Sequence, residues 1–195
     1  MNKNLVLIIL IFSAFVTIIH ASIVYFNLEP RIAGYAVLDF TEDSWNTSII
    51  IDQGLVKIDN NAIYSKTKYN QTTVEFRAKF TDDISKYGSW LVGGFADDAE
   101  FNMHEKAVFY IDADFMKAFV SDGAEISWCD PIVNYNWQEF HNFRVEVTDK
   151  TKFYVDDLEV CSINKIPNKE LPIAVNENSI KDGISMLLES IKVIS

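Results

Sequence analysis

Residues 74–80 read Val-Glu-Phe-Arg-Ala-Lys-Phe and alternate without exception. Val74, Phe76, Ala78 and Phe80 fall on one face of an extended chain, and Glu75, Arg77 and Lys79 on the other. A period of two means a strand with one buried and one wet face. Phe143-Arg144-Val145-Glu146-Val147-Thr148 repeats the pattern. Asp149-Lys150 then reads as a tight turn, Thr151 to Val155 runs back, and Asp156-Asp157 turns again into Leu158-Glu159-Val160-Cys161. Aspartate suits such turns, because its side chain bonds nearby backbone and tolerates unusual φ. A three-stranded meander is therefore expected over 142–163. Further strands are expected at 48–52, 54–58, 62–65, 89–95, 106–112, 116–120, 125–128 and 184–194. Helical periodicity is absent after residue 27. The expected fold class is all-β: a two-sheet antiparallel jelly-roll sandwich, preceded by one N-terminal hydrophobic helix.

Composition narrows the class. The chain has 195 residues, enough for one domain and a small appendage. Hydrophobic residues make up 49% and charged residues 23%, which excludes a disordered polar chain. Seven Gly and four Pro exclude collagen-like and Gly/Pro-rich classes. Seventeen Lys+Arg stand against 28 Asp+Glu, a net charge of -11. Binding phosphate backbones needs clustered Lys and Arg, so no nucleic-acid partner is expected.

The first segment sets the compartment. Residues 5–19, LVLIILIFSAFVTII, carry no charge and follow Lys3. This is the layout of a secretory signal, with Ala21 as the cleavage point. If His20 is tolerated, the apolar run reaches Phe26, and about 20 such residues span a bilayer. Residues 1–26 are thus a signal peptide or a membrane anchor, and 27–195 an extracellular or cell-surface domain. The two cysteines, Cys129 and Cys161, permit one intrachain disulfide, which an oxidising compartment favours. Neither belongs to a C-x-x-C pair. Asn46-Thr47-Ser48 and Asn70-Gln71-Thr72 are candidate glycosylation acceptors in such a compartment, or chance matches to a short motif.

The order of the segments resembles the concanavalin A-like lectin/glucanase superfamily, which includes laminin-G-like domains and family 16 glycoside hydrolases. Gln53-Gly54-Leu55-Val56-Lys57-Ile58, followed by Ala62-Ile63-Tyr64-Ser65-Lys66, is similar to its first hairpin. Tyr69 to Phe80 is similar to its T-V-E-x-R-x-K-F strand. His141 to Val147, with Phe153-Tyr154-Val155-Asp156-Asp157, resembles its late hairpin, and Gly183 to Ile194 its closing strand. The likeness spans roughly 35–195. It implies two antiparallel sheets, one curved, with carbohydrate bound on the concave side or in the loops at its edge.

Retaining glycoside hydrolysis needs two carboxyl groups about 5–5.5 Å apart. The family 16 motif supplies them as Glu-x-Asp-x-x-Glu. The nearest text here is Glu100-Phe101-Asn102-Met103-His104-Glu105, with Asn102 in place of the aspartate. An amide cannot tune a neighbouring carboxyl by like charge. Glu100 and Glu105 are the catalytic candidates of a degenerate site, or simply a charged loop. On a second alignment the motif strand is Ala107-Val108-Phe109-Tyr110-Ile111-Asp112, with one carboxylate. His104 and His141 read as surface or hairpin histidines.

Sugars stack their C–H faces on aromatic rings and hydrogen-bond to Asp and Asn. The segment WCDPIVNYNW is loop-like and supplies ligand candidates Trp128, Asn134, Tyr135, Asn136 and Trp137. The plainer role for these rings is sandwich core or cover for a sheet edge. The resemblance also implies Ca²⁺ as a cofactor, which takes six to eight oxygen ligands. Asp97, Asp98, Asp112 and Asp114 form the densest acidic set, a metal site or simply a solvated acidic loop, since no twelve-residue calcium loop is present. Three functions follow. The first is non-catalytic binding of a glycan or cell-surface partner. The second is a degenerate family 16 glycosidase, and the third a structural surface, coat or matrix protein.

Overall fold

The computed structural model describes residues 35–37, 44–45, 50–52, 55–58, 62–86, 88, 90–98, 102–112, 114–175 and 185–194. The expected helix, the 1–26 leader, Glu100 and Asn46 lie outside them. Ala36–Ser195 forms one compact unit, which builds the sandwich.

The strands are β1 (Tyr35–Val37), β2 (Ile50–Asp52), β3 (Leu55–Ile58), β4 (Ile63–Tyr69), β5 (Thr73–Phe80), β6 (Trp90–Ala96), β7 (Lys106–Asp112), β8 (Phe115–Ser121), β9 (Ile126–Trp128), β10 (His141–Val147), β11 (Thr151–Val155), β12 (Leu158–Ile163), β13 (Leu171–Val175) and β14 (Met186–Ile194). One 3-10 turn at Ile84–Lys86 is the only helix among the described residues. The larger sheet runs β12-β11-β10-β5-β14-β3-β2, and the smaller runs β4-β13-β6-β7-β8-β9. All pairings along both paths are antiparallel.

The alternation in β5 and β10 sets how the sheets meet. Both strands bury every second residue, and register pairs Phe143 with Phe76. Their rings stack, 5.1 Å apart and 11° from parallel. Phe109 of β7 comes from the facing sheet and meets Phe143 and Phe153 edge-on at 5.2 and 5.3 Å. Each such ring taken out of water stabilises the fold by about 2–3 kcal/mol. The close approach of the sheets fixes one glycine. A Cβ on Gly93 of β6 would lie 2.6 Å from the Phe76 ring tip, so no larger residue fits.

The Asp156-Asp157 turn has φ of 48° and 65°. This left-handed pair matches the twist of the β11–β12 hairpin.

Three elements differ from expectation. β1 (Tyr35–Val37) is absent from the expected set, because three residues are too few to show a period. β4 continues to Tyr69, four residues beyond the expected 62–65. β13, Leu-Pro-Ile-Ala-Val, is absent from the expected set because Pro172 marks it as a poor interior strand. It nevertheless lies between β4 and β6. A register shift between Pro172 and Ala174 absorbs the missing donor, and Ile173 N donates to Ser65 Oγ at 2.9 Å.

Candidate functional site

After β9 the chain leaves the sheet without drifting from it. Cys129 N donates to Ala118 O at 2.9 Å and Ile132 N to Met116 O at 2.7 Å. Cys129 is bonded to Cys161 of β12, with Cα atoms 5.9 Å apart, so the expected disulfide ties the smaller sheet's edge to the larger sheet. Asn134 then takes φ 72°, a conformation asparagine tolerates. Asn136 builds the next turn: its Oδ1 accepts Gln138 N at 3.3 Å, and its carbonyl accepts Glu139 N at 2.9 Å. Trp137 O accepts Phe80 N at 2.9 Å, locking the loop to β5.

These ties shape an open cleft of about 280 Å³ at one end of the sandwich. Three separate loops meet there. Asp83 and Ile84 come from the β5–β6 connection, Asp114 and Met116 from the β7–β8 hairpin, and residues 132–138 from the segment before β10. Ile84, Met116, Ile132 and Trp137 are buried and form an apolar floor. Asp83, Asp114, Asn134, Asn136 and Gln138 are exposed and form a polar rim.

Tyr135 lies between floor and rim. Its ring is half-buried and stacks on Trp137, 5.0 Å apart at 25°. Burial, and then the nearby Asp156 charge, raise its hydroxyl above the usual phenol range, so at neutral pH it remains an O–H donor. Behind it stands His141. Its Nε2–H donates to Asn136 O at 2.9 Å, and its Nδ1 lies 2.7 Å from Asp156 Oδ2. Burial opposes ionisation of Asp156. Bonds from His141 and from Asn142 N–H outweigh it and hold the carboxyl below its ordinary value. Asp83 is also held low, chiefly because its Oδ1 accepts Ser85 N–H at 2.9 Å. It is therefore a hydrogen-bond acceptor at neutral pH, not the raised acid a glycosidase requires.

The structure gathers Asn134, Tyr135, Asn136 and Trp137 around this cleft and sets Trp128 apart. Trp137 is only 8% exposed and has Tyr135 and Phe143 stacked on its ring, so it is floor and core rather than an open platform. Trp128 is 40% exposed on the outer side of the smaller sheet, beside Phe119 and Tyr110, with Lys117 Nζ over its ring.

The four aspartates considered for Ca²⁺ do not form one cluster. The seven residues of β7 span about 20 Å. Asp97 and Asp98 lie beside its start and Asp112 ends it. Asp112 pairs with Lys117 at 2.7 Å, and Asp114 lines the cleft. At the opposite end Asp97 pairs with Lys169 at 2.8 Å. Asp98 contacts Lys106 and His104. Asp97, Asp98 and His104 place one ligand atom each within 4.8 Å of one another. Glu105 Oε2 accepts the main-chain N–H groups of Asn168 and Lys169, so it clamps a loop. On β7 the outward face carries Val108 and Tyr110, members of a second apolar cluster, and then Asp112. Asn70 is exposed in the β4–β5 turn, and Thr72 Oγ1 donates to Ile194 O at 2.9 Å.

Asp83, Ile84, Met116, Gln138, His141 and Asp156 carry no sequence signal for a site. They lie in different segments, and only the sandwich brings them together. The Asp156-Asp157 turn was legible, but not its reach to His141.

No family model matches the chain, and no curated protein does. Solved structures do match. The apo Crh5 transglycosylase superposes with a TM-score of 0.62 at 10% identity, covering 84% of this chain and 85% of that one. A structure from work on endo-acting O-glycanases, which prominent members of the human gut microbiota express to initiate mucin breakdown, gives 0.59 at 13%, covering 85% and 93%. The carbohydrate-binding module CBM66 from Bacillus subtilis gives 0.53 at 14%, covering 85% and 98%. At these identities the likeness establishes the fold, a concanavalin A-like sandwich. Among the described residues no helix is long and apolar enough to cross a membrane.

Proposed function

We propose that the chain is an exported glycan-recognition domain that binds without catalysis, with the cleft beside Tyr135 as its sugar site. One observation carries this reading: a half-buried phenol over an apolar floor, ringed by amides and carboxylates. A sugar offers the complement, with apolar C–H faces and a girdle of hydroxyls. Structural neighbours that include a carbohydrate-binding module and a transglycosylase support sugar chemistry without choosing between binding and cleavage. The disulfide favours an oxidising, extracellular compartment.

The choice of binding rests on the carboxylates. Asp112 is paired with Lys117, Glu105 holds a loop, and Asp83 is kept ionised. A glycan array probed with the purified chain, with and without Ca²⁺, tests the reading. Specific binding that Tyr135→Ala weakens by about tenfold supports it. A blank array in both conditions overturns it, leaving a structural surface protein. Release of reducing ends from any polysaccharide would instead mean a hydrolase.

A further inference from the structure

We propose that the cleft discriminates by charge: it accepts neutral and cationic sugars, amino sugars above all, and turns away acidic ones such as uronates and sulfated sugars. This rests on the glycan reading above. Two carboxylates, Asp83 and Asp114, line the cleft, and none of its described lining residues is Lys, Arg or His. Asp114 has no ion-pair partner among the described residues. Asp83 is exposed on the rim, and its Oδ1 accepts Ser85 N–H at 2.9 Å. Nearby cations are occupied elsewhere. Lys86 is bonded to Asp82 at 2.8 Å, and Lys117 to Asp112 at 2.7 Å. The protein's net charge of -11 adds a background of the same sign.

Neutral hydroxyls and protonated amines can donate to both carboxylates. A ligand carboxylate or sulfate cannot donate, and it brings like charge into a partly desolvated pocket. Repulsion at contact distance near a protein surface is worth on the order of tenfold or more in affinity. Salt screens the exposed part of that effect, so discrimination is greatest at low ionic strength.

The test uses three tetrasaccharides on the full chain by calorimetry, at about pH 6, in low salt, with EDTA and separately with Ca²⁺. The probes are a glucosamine oligomer, its N-acetylated counterpart and a galacturonate oligomer. The glucosamine oligomer is expected to bind tightest and the galacturonate oligomer about tenfold or more below the neutral one. Asp83→Asn with Asp114→Asn is expected to close most of that gap. Both side chains are exposed, and the amide keeps the oxygen that caps Ser85. Galacturonate binding equal to the neutral oligomer overturns the inference and leaves the glycan reading standing. So does galacturonate binding that appears only with Ca²⁺, or a gap unchanged in the double variant. Silence from all three probes overturns the inference, and the array then decides the glycan reading by itself.

Discussion

His141 Nε2 donates to the main-chain carbonyl of Asn136 across 2.9 Å, and this bond ties the wall of the cleft to the strand behind it. The same imidazole meets Tyr135 and Trp137 edge-on, each at 5.4 Å. His141→Ala removes both hydrogen bonds and both ring contacts and leaves Asp156 with the Asn142 N–H alone of its two hydrogen-bond donors. The expected cost is about 1–3 kcal/mol, since the Asp156 carboxylate is 44% exposed and solvent screening reduces the ~1.5–3 kcal/mol of a hydrogen bond to a charged group. Glycan affinity should fall in the same variant. Urea denaturation and a binding titration check this. Unchanged affinity would mean that the Phe80–Trp137 bond holds the loop by itself.

Asp156 makes stability depend on pH. Its folded carboxyl lies below the ordinary 3.8, so the folded state favours the ionised form. That contribution is complete above the unfolded value and is lost as pH falls through the folded one. Asp98 at the other end of the sandwich is shifted the same way; burial opposes the shift, and bonds from Lys106 and His104 outweigh it. Denaturation midpoints should therefore fall below about pH 4, and Asp156→Asn should flatten part of that fall. An acid limb as steep in the variant as in the wild type would remove Asp156 from the account.

The disulfide closes a loop between residues 32 apart in sequence. On the chain-entropy account its removal costs about 3.7 kcal/mol. For a domain of this size each kcal/mol shifts Tm by roughly 2–4 °C, so reduction should lower Tm by roughly 7–15 °C. Because the cleft loop starts at Cys129, affinity should fall as well. Thermal melts with and without reductant, set against Cys129→Ser with Cys161→Ser, measure both effects.

The sandwich was legible where one face is wet and one dry. β5, β10 and β11 show alternation, because each packs on the core from an otherwise solvated sheet. β13 was not, because it is buried on both faces and reads as five residues with a proline. Gly93 gave no hint of its role, since the constraint is a phenylalanine from another strand. The cleft was half legible. Asn134 to Trp137 stood out as an aromatic and amide run within ten residues. Trp128 stood out equally and lies elsewhere, because a ring's chemistry does not reveal which side of a sheet its strand presents. Asp83 and Asp114 meet only through the fold.

The Asp98–Lys106 pair tests whether the acidic end is held by charge or by packing. Lys106 is fully buried, and its ammonium reaches both the Asp98 carboxylate and the Asp98 carbonyl, the latter at 3.0 Å. Asp98→Asn alone leaves a buried ammonium without its anion, and such breaks cost about 3–5 kcal/mol. Lys106→Met alone removes the buried charge and leaves Asp98 with His104 and solvent, so its cost should be smaller. The double variant should recover most of the loss, because a thioether of similar length suits the buried site and no charge remains to be paired. A denaturation cycle over the four proteins measures the coupling. Additive losses would show that the two side chains do not depend on each other and that the fold, not the ion pair, keeps this end closed.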